Sequence, residues 1–367
     1  MIPAMFLALA AGVPVDPPAA TPLPAVVKAE PDAALNAKFR RVDGWVGGDG
    51  AFSVPLSNTR VLWLFSDTWV GTIRDGKRKD VAMVNNTVGV QEDSGLDAKL
   101  TYAIQKTDGG KPTALFAPPD GKGWFWQFAG HHADGKLHVF LPRFEKAGDG
   151  AFGFKSVDLW LGSISNPLDD PTKWKTAYTK VPFAEFGEKR KRLFGSAVLV
   201  SGDHAYVYGY EERQARFGPM RELLVARVAT DKLSDFSKWQ FRAADGWKPD
   251  ATAASGFASN LGAEFSVSYL PGLKRYALVT TENGLSDRIV GRFATSPEGP
   301  WSDPVLLYTC PEMKKDKKVF SYAAKAHPHL ATGNELVISY VVNAFEFGPV
   351  INNAELYWPN FVRVSLK

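Results

Sequence analysis

Short apolar runs with period-two alternation recur along the chain, separated by Gly, Asp, Asn and Pro residues. Such alternation marks strands with one face in a core, and the breakers between them mark turns. Arg60–Phe65, Thr87–Gln91, Lys136–Leu141, Leu159–Ile164, Ala197–Val200, His204–Tyr208, Leu223–Val228, Glu264–Tyr269, Arg275–Thr280, Ile289–Ala294 and Glu335–Val342 read as strands. Asp134-Gly135, Ser201-Gly202-Asp203, Pro271-Gly272 and Thr332-Gly333-Asn334 read as the turns of hairpins. No stretch shows a long amphipathic helical period.

The runs repeat as a unit. Leu62–Phe65, Leu137–Phe140, Ala205–Tyr208, Tyr276–Val279 and Leu336–Ser339 occupy equivalent places in successive hairpins, about 60–75 residues apart, which suggests five sheet units. Three related stretches, ending in Trp174, Trp239 and Trp301, follow a strand and read as the connection to an outer strand, with the indole as a plug. The expectation is an all-β protein, a five-bladed β-propeller formed as one domain by residues 28–367.

Composition agrees. The 367 residues include Gly 33, Pro 25, Trp 11, Tyr 11 and Phe 24, which suits many short strands, frequent turns and an aromatic core. Hydrophobic content of 45% and charged content of 22% exclude a disordered chain. The net charge of +4 is scattered apart from Lys189–Arg192 and Lys314–Lys318. These read as solvated loops, so no nucleic-acid partner is expected. Residues 1–27 read as a signal-like segment and a Pro-rich linker. The apolar run Ala4–Ala11 is too short to span a bilayer. It suits a secretory signal, although no Lys or Arg precedes it, and a secreted or periplasmic monomer is expected. Cys310 is the sole cysteine, which excludes an internal disulfide and a cysteine-based metal centre. No cofactor or metal is expected.

One hairpin stands out chemically. Gly44 to Gly71 reads as two alternating runs around Ser57-Asn58-Thr59, with Asp49 near the start of the first and Asp67 at the end of the second. Pairing Leu56 with Arg60 and counting back sets Asp49 opposite Asp67, whereas a loop one residue longer or shorter, or a bulge, sets them diagonally. Two carboxyls brought together suit glycoside hydrolysis, where one acts as acid and the other as base or nucleophile. In a propeller, polar residues at equivalent hairpin ends converge on the central channel. Glu264, His327, Asn343, Asn86, Trp126, Tyr210, Asn260 and Tyr322 are therefore the candidates to bind a sugar, with aromatic faces for its apolar side and amides for its hydroxyls. The plainer readings are a backbone-capping Asp before Gly, a packing His in His327-Pro328-His329, and core roles for Trp45, Trp63, Trp69 and Trp160. No nucleophile elbow, Walker loop or dinucleotide fingerprint is present.

The residues around these two acids also carry a resemblance. The stretch Trp45 to Gly71, with Gly-Asp-Gly-Ala-Phe-Ser-Val and Leu-Trp-Leu-Phe-Ser-Asp-Thr, resembles the opening of a bacterial propeller family catalogued as a domain of unknown function. Asn85-Asn86-Thr87, Gly299–Ser302, His327-Pro328, Leu336–Tyr340 with Asn343, and Tyr357-Trp358-Pro359 continue it. Some relatives of that family are endo-D-arabinanases. The resemblance implies that Asp49 and Asp67 match the catalytic aspartates of those members and that the partner is a polysaccharide or oligosaccharide. The chain departs from the family in Ser66, where Gly is usual, and in its glycine-free Ser57-Asn58-Thr59 turn. A non-catalytic carbohydrate-binding propeller and an interaction scaffold are the alternative readings.

Overall fold

The alternating runs all lie in or overlap strands of the computed structural model, which describes residues 22–93, 98–150, 152–215 and 218–367. The signal-like stretch Met1 to Gly12 and most of the linker lie outside the described residues. Five antiparallel sheets of four or more strands follow one another along the chain. The first comprises Phe52–Pro55, Arg60–Phe65, Thr87–Glu92 and Lys99–Ala103. The second comprises Trp124–Phe125 and Gly130–Ala133 on one edge, then Lys136–Lys146, Phe154–Ile164 and Thr176–Lys180. The third is built on Arg190–Ser201, His204–Ala215, Gly218–Ala229 and Gln240–Ala243. The fourth comprises Phe265–Leu270, Arg275–Thr281, Arg288–Ala294 and Val305–Thr309. The fifth comprises Val319–Ala326, Glu335–Ala344 and Pro359–Leu366, and its outer strand is Val26–Pro31 from the other end of the chain. The class is all-β, as expected.

Hydrogen bonds between inner strands join each sheet to the next and the last to the first. Gln127 Nε2 of the second sheet donates to Phe65 O and Thr87 O of the first (2.7 and 2.9 Å). Ala129 N donates to Gly195 O at 3.0 Å, Ser196 Oγ to Ala263 O at 2.9 Å, and Ala326 N to Ser266 Oγ at 2.7 Å. Ser53 Oγ meets His327 Nδ1 at 2.7 Å and closes the ring. Leu, Val and Phe side chains on the strand faces fill the space between adjacent sheets. The three connection motifs lead into outer strands, and Trp239 is fully buried there, its indole donating to Leu233 O at 3.0 Å.

Two features depart from the sequence reading. A strand begins at Val26, inside the segment read as linker, because its backbone pairs with Pro359–Leu366. A further three-stranded sheet, Asp43–Gly48, Thr68–Arg74 and Lys77–Val84, grows out of the acid-bearing hairpin. Its Lys77-Arg78-Lys79-Asp80 stretch has no apolar alternation to betray a strand. Among the described residues no helix is long and apolar enough to cross a membrane. The short helix Ala33–Phe39 is capped by Asp32, whose carboxylate accepts from Leu35 N at 3.0 Å. It buries Leu35 and Phe39 one helical turn apart.

Phe39 is fully buried with its ring 4.7 Å from Trp63 and 4.8 Å from Phe361, so it links the first and last sheets. Phe39→Ala should cost about 3–5 kcal/mol of stability, read as an earlier midpoint in urea unfolding. An unchanged midpoint would remove this helix from the forces that hold the ring closed.

Candidate functional site

The hairpin of the first sheet has the register expected from alternation: Phe52 faces Leu64 and Pro55 faces Val61. The same register carries on past the strand ends, where Asp49 N donates to Asp67 O at 3.2 Å and Ser66 N to Asp49 O at 3.0 Å. The two acids are thus neighbours across one hairpin. The backbone beside them is tight. Gly47 has φ 134°, and a Cβ there would stand 2.6 Å from Tyr357 O and 2.7 Å from the Arg78 guanidinium. Ser66, which departs from the usual glycine, accepts from Gln127 N at 3.1 Å and so joins the seam to the second sheet.

Each carboxyl has partners from outside its own hairpin. Asp49 Oδ2 accepts from Tyr322 Oη at 2.6 Å and from Tyr357 Oη at 3.0 Å, both of the fifth sheet or its approach. Asp49 Oδ1 is buried with no hydrogen-bond partner. Asp67 Oδ1 accepts from Trp126 Nε1 at 2.7 Å and Asn85 Nδ2 at 3.0 Å. Burial pushes the Asp49 carboxyl well above the usual range, and the nearby negative charges of Asp67 and Glu264 push it further. Burial raises Asp67 to about 6, against the two donors that favour its charged form.

The strand Val319–Ala326 carries a bulge between Tyr322 and Lys325. Residues three apart on a regular strand face opposite ways, and the extra residue turns both toward the first sheet. Ala323, within the bulge, has φ 59°. Lys325 is buried, donates to Gly50 O, to Ala323 O at 2.7 Å and to Glu264 Oε2 at 2.8 Å, and lies 4.3 Å above the Phe52 ring. Burial lowers its pKa, and Glu264 opposes that. Glu264 is therefore brought beside the pair, held by a cation that also grips the residue after Asp49. Asn343 Nδ2 lies 3.5 Å from Tyr322 Oη.

A second buried cation works from the other side. Arg78 is 1% exposed, and its guanidinium donates only to backbone carbonyls: Val46 at 2.8 Å, Val350 at 2.7 Å and Leu356 at 2.6 Å, with Asn353 further off at 3.3 Å. Burial draws its pKa down to about 10. Its carbonyl partners precede Asp49 on one strand and Tyr357 in the last connection, so Arg78 sets the approach of both ends of the Asp49–Tyr357 bond.

Of the predicted residues, Asp49, Asp67, Trp126, Glu264, Tyr322 and Asn343 are brought together. Tyr210 is buried beneath the Arg221 guanidinium (5.4 Å from its ring) and feels the charge of Glu264, so it lies at the edge of this group. His327 is not brought to the acids. Its ring nitrogens are taken by Ser53 Oγ (2.7 Å) and Ser339 Oγ (2.8 Å), and it packs 4.9 Å from Trp63. Asn86 is fully buried and donates to Phe116 O and Phe125 O, both at 2.9 Å, which fastens a loop instead. Asn260 is exposed with φ 63°, and its carbonyl accepts from Asn283 N. The residues that the hairpin pattern did not single out are Tyr357 and Arg78, while Asn85 and Lys325 lie among the polar residues at the hairpin ends. Asn85 and Tyr357 stand inside the motifs that carried the resemblance. Among the described residues no group of three or more His, Cys, Asp or Glu side chains is placed to hold a metal.

Residues 32–366 match the family described as a domain of unknown function, DUF5005, and the chain belongs to that family. No curated protein matches it. Among solved structures it is similar to a Bacteroides ovatus ATCC 8483 protein provisionally described as a hydrolase, at 20% identity over 92% of this chain and 90% of that one, with a TM-score of 0.72. At that identity the likeness is one of fold. Looser overlays include the GH43_1 enzyme of Xanthomonas citri complexed with xylotriose (12% identity, 93% and 91% coverage, TM-score 0.47). Another is the catalytic domain of a GH62 α-L-arabinofuranosidase of Coprinopsis cinerea (10% identity, 89% and 92% coverage, TM-score 0.43).

The raised Asp67 pKa makes a prediction about stability. A carboxyl that is harder to ionise when folded stabilises the fold below its unfolded pKa of about 3.8, and that contribution is lost as pH rises through about 6. Asp67→Asn should therefore gain stability relative to the parent between pH 5 and pH 8, by about 1–3 kcal/mol at the upper end. Urea unfolding across that range checks it, and a pH-independent difference would show that Asp67 ionises normally.

Proposed function

We propose that the chain is a five-bladed propeller that hydrolyses glycosidic bonds in a furanose-containing or related polysaccharide, in the manner of an endo-D-arabinanase. The observation that carries the reading is the pair of half-buried acids on one hairpin, joined through the backbone, each with hydrogen-bond donors from outside that hairpin. The ring of sheets supports the count of five, and the family resemblance supports the substrate class.

The two acids have environments that separate their roles. Asp49 resists ionisation more strongly than Asp67, and its Oδ1 is shielded from water with no partner. It is suited to hold a proton near neutral pH and deliver it to the leaving oxygen. Asp67 is ionised above about pH 6 and serves as the base or nucleophile. Tyr322 and Tyr357 orient Asp49, while Trp126 and Asn85 orient Asp67. Developing charge is balanced by the nearby Lys325–Glu264 pair. Asn343 and the aromatic side chains around Trp126 meet the sugar. A polysaccharide of this kind is met outside the cell, in keeping with the secretory reading of the N-terminus.

Asp49→Asn and Asp67→Asn should each abolish release of reducing ends from arabinan while the far-ultraviolet circular dichroism stays that of the parent. In the parent, release should fall as pH drops through about 6, because protonated Asp67 cannot act as a base. Wild-type turnover by both variants would refute the assignment. Glycan binding with no new reducing ends would leave a carbohydrate-binding module instead.

A further inference from the structure

The chain contains 24 phenylalanines, and nearly all of those described are inside the fold. Among the described residues the exposed ones are Phe152, Phe345 and Phe347, at 53%, 50% and 44%. They are not scattered. Phe347 packs 6.1 Å from Trp69, which lies two residues beyond Asp67. Phe152 lies 5.8 Å from Phe320 and 6.4 Å from Phe345, and Phe320 is 4.8 Å from Phe345.

Phe152 lies in the turn of the second sheet's long hairpin, Phe320 on a strand of the fifth sheet and Phe345 directly after another. The long hairpin Lys136–Lys146 and Phe154–Ile164 therefore reaches from the second sheet to the fifth. Two rings of this hairpin lead to the two carboxyls. Phe154 packs 4.7 Å from Trp126, whose indole donates to Asp67. Phe152 packs on Phe320, which is 3% exposed and lies 5.4 Å from Tyr322, the donor to Asp49. An apolar patch that folding leaves in water usually has an occupant. This one is continuous with the acids through packed rings, and amide and hydroxyl groups of Asn343 and Tyr322 stand at its inner edge. A sugar has the matching chemistry: a C–H face for the ring and hydroxyls for the polar margin.

We propose that Phe152 and Phe345 form a sugar-ring subsite that binds the glycan unit next to the one held by Asp49 and Asp67. The proposal rests on the functional reading above and extends it from the reacting bond to the neighbouring unit. The glycan then crosses from the first sheet onto the arch between the second and fifth sheets.

Binding is measured apart from turnover, in an Asp67→Asn background, by affinity electrophoresis in gels containing arabinan. Phe152→Ala and Phe345→Ala should each weaken retention about tenfold, equivalent to about 1.4 kcal/mol, and Phe152→Trp should keep it. Leu306→Ala, an exposed apolar residue on an outer strand, should change nothing. Thermal unfolding midpoints matching that of the background protein show that the variants are folded. If the background protein is retained by arabinan and both alanine variants are retained equally well, the subsite is refuted while the functional reading stands. If the background protein is not retained by any glycan, the functional reading and the subsite fall together.

Discussion

Asp49 is held where the ring closes on itself, and much else in the structure follows from that. Its carboxyl belongs to the first sheet, and the two hydroxyls that grip it come from the last sheet and its approach. The same seam holds Lys325 on Gly50 O and His327 between Ser53 and Ser339. Closure and site chemistry therefore share contacts. The backbone records the constraint: Ala51, Ala323 and Tyr357 all adopt positive φ, at 52°, 59° and 68°, and all flank the acids. Left-handed conformations of residues with a Cβ cost about 1–3 kcal/mol and persist only where surrounding structure imposes them.

The electrostatics have the same origin. Bringing two carboxyls to one hairpin end and a third, Glu264, beside them raises the cost of ionising Asp49. The hydroxyls of Tyr322 and Tyr357 oppose this, whereas the two buried cations nearby form no ion pair with either aspartate. Lys325 directs its donors to Glu264 and two carbonyls, and Arg78 directs all of its own to carbonyls. The charges are satisfied as donors, so they fix backbone positions while leaving the acids able to change protonation.

The acid-bearing hairpin was legible in the sequence because alternation and one turn mark it, while its register was decided by the structure. The partners were legible unevenly. Asn85 and Asn86 are adjacent in the turn between the strands Lys77–Val84 and Thr87–Glu92, where no strand period sets their directions. Asn85 reaches Asp67 and Asn86 fastens the Phe116–Phe125 loop, and nothing in the order of two asparagines says which does which. His327 looked like Tyr322 and Lys325, being a polar residue on the same strand or just beyond it. The bulge after Tyr322 decides that the earlier two face the acids, and His327 turns into the seam.

By itself the sequence determined the all-β class, the succession of hairpins and the placing of Asp49 and Asp67 at one hairpin end, since each depends on residues close in the chain. Only the tertiary structure decided which side chains surround those acids. Tyr322, Lys325 and Tyr357 lie some 270 to 310 residues along the chain from the Asp49-Gly50 pair they hold. Their approach is set by ring closure, by a bulge and by left-handed residues. A period-two pattern reports which face of a strand is buried; it carries no information about which sheet that face will meet.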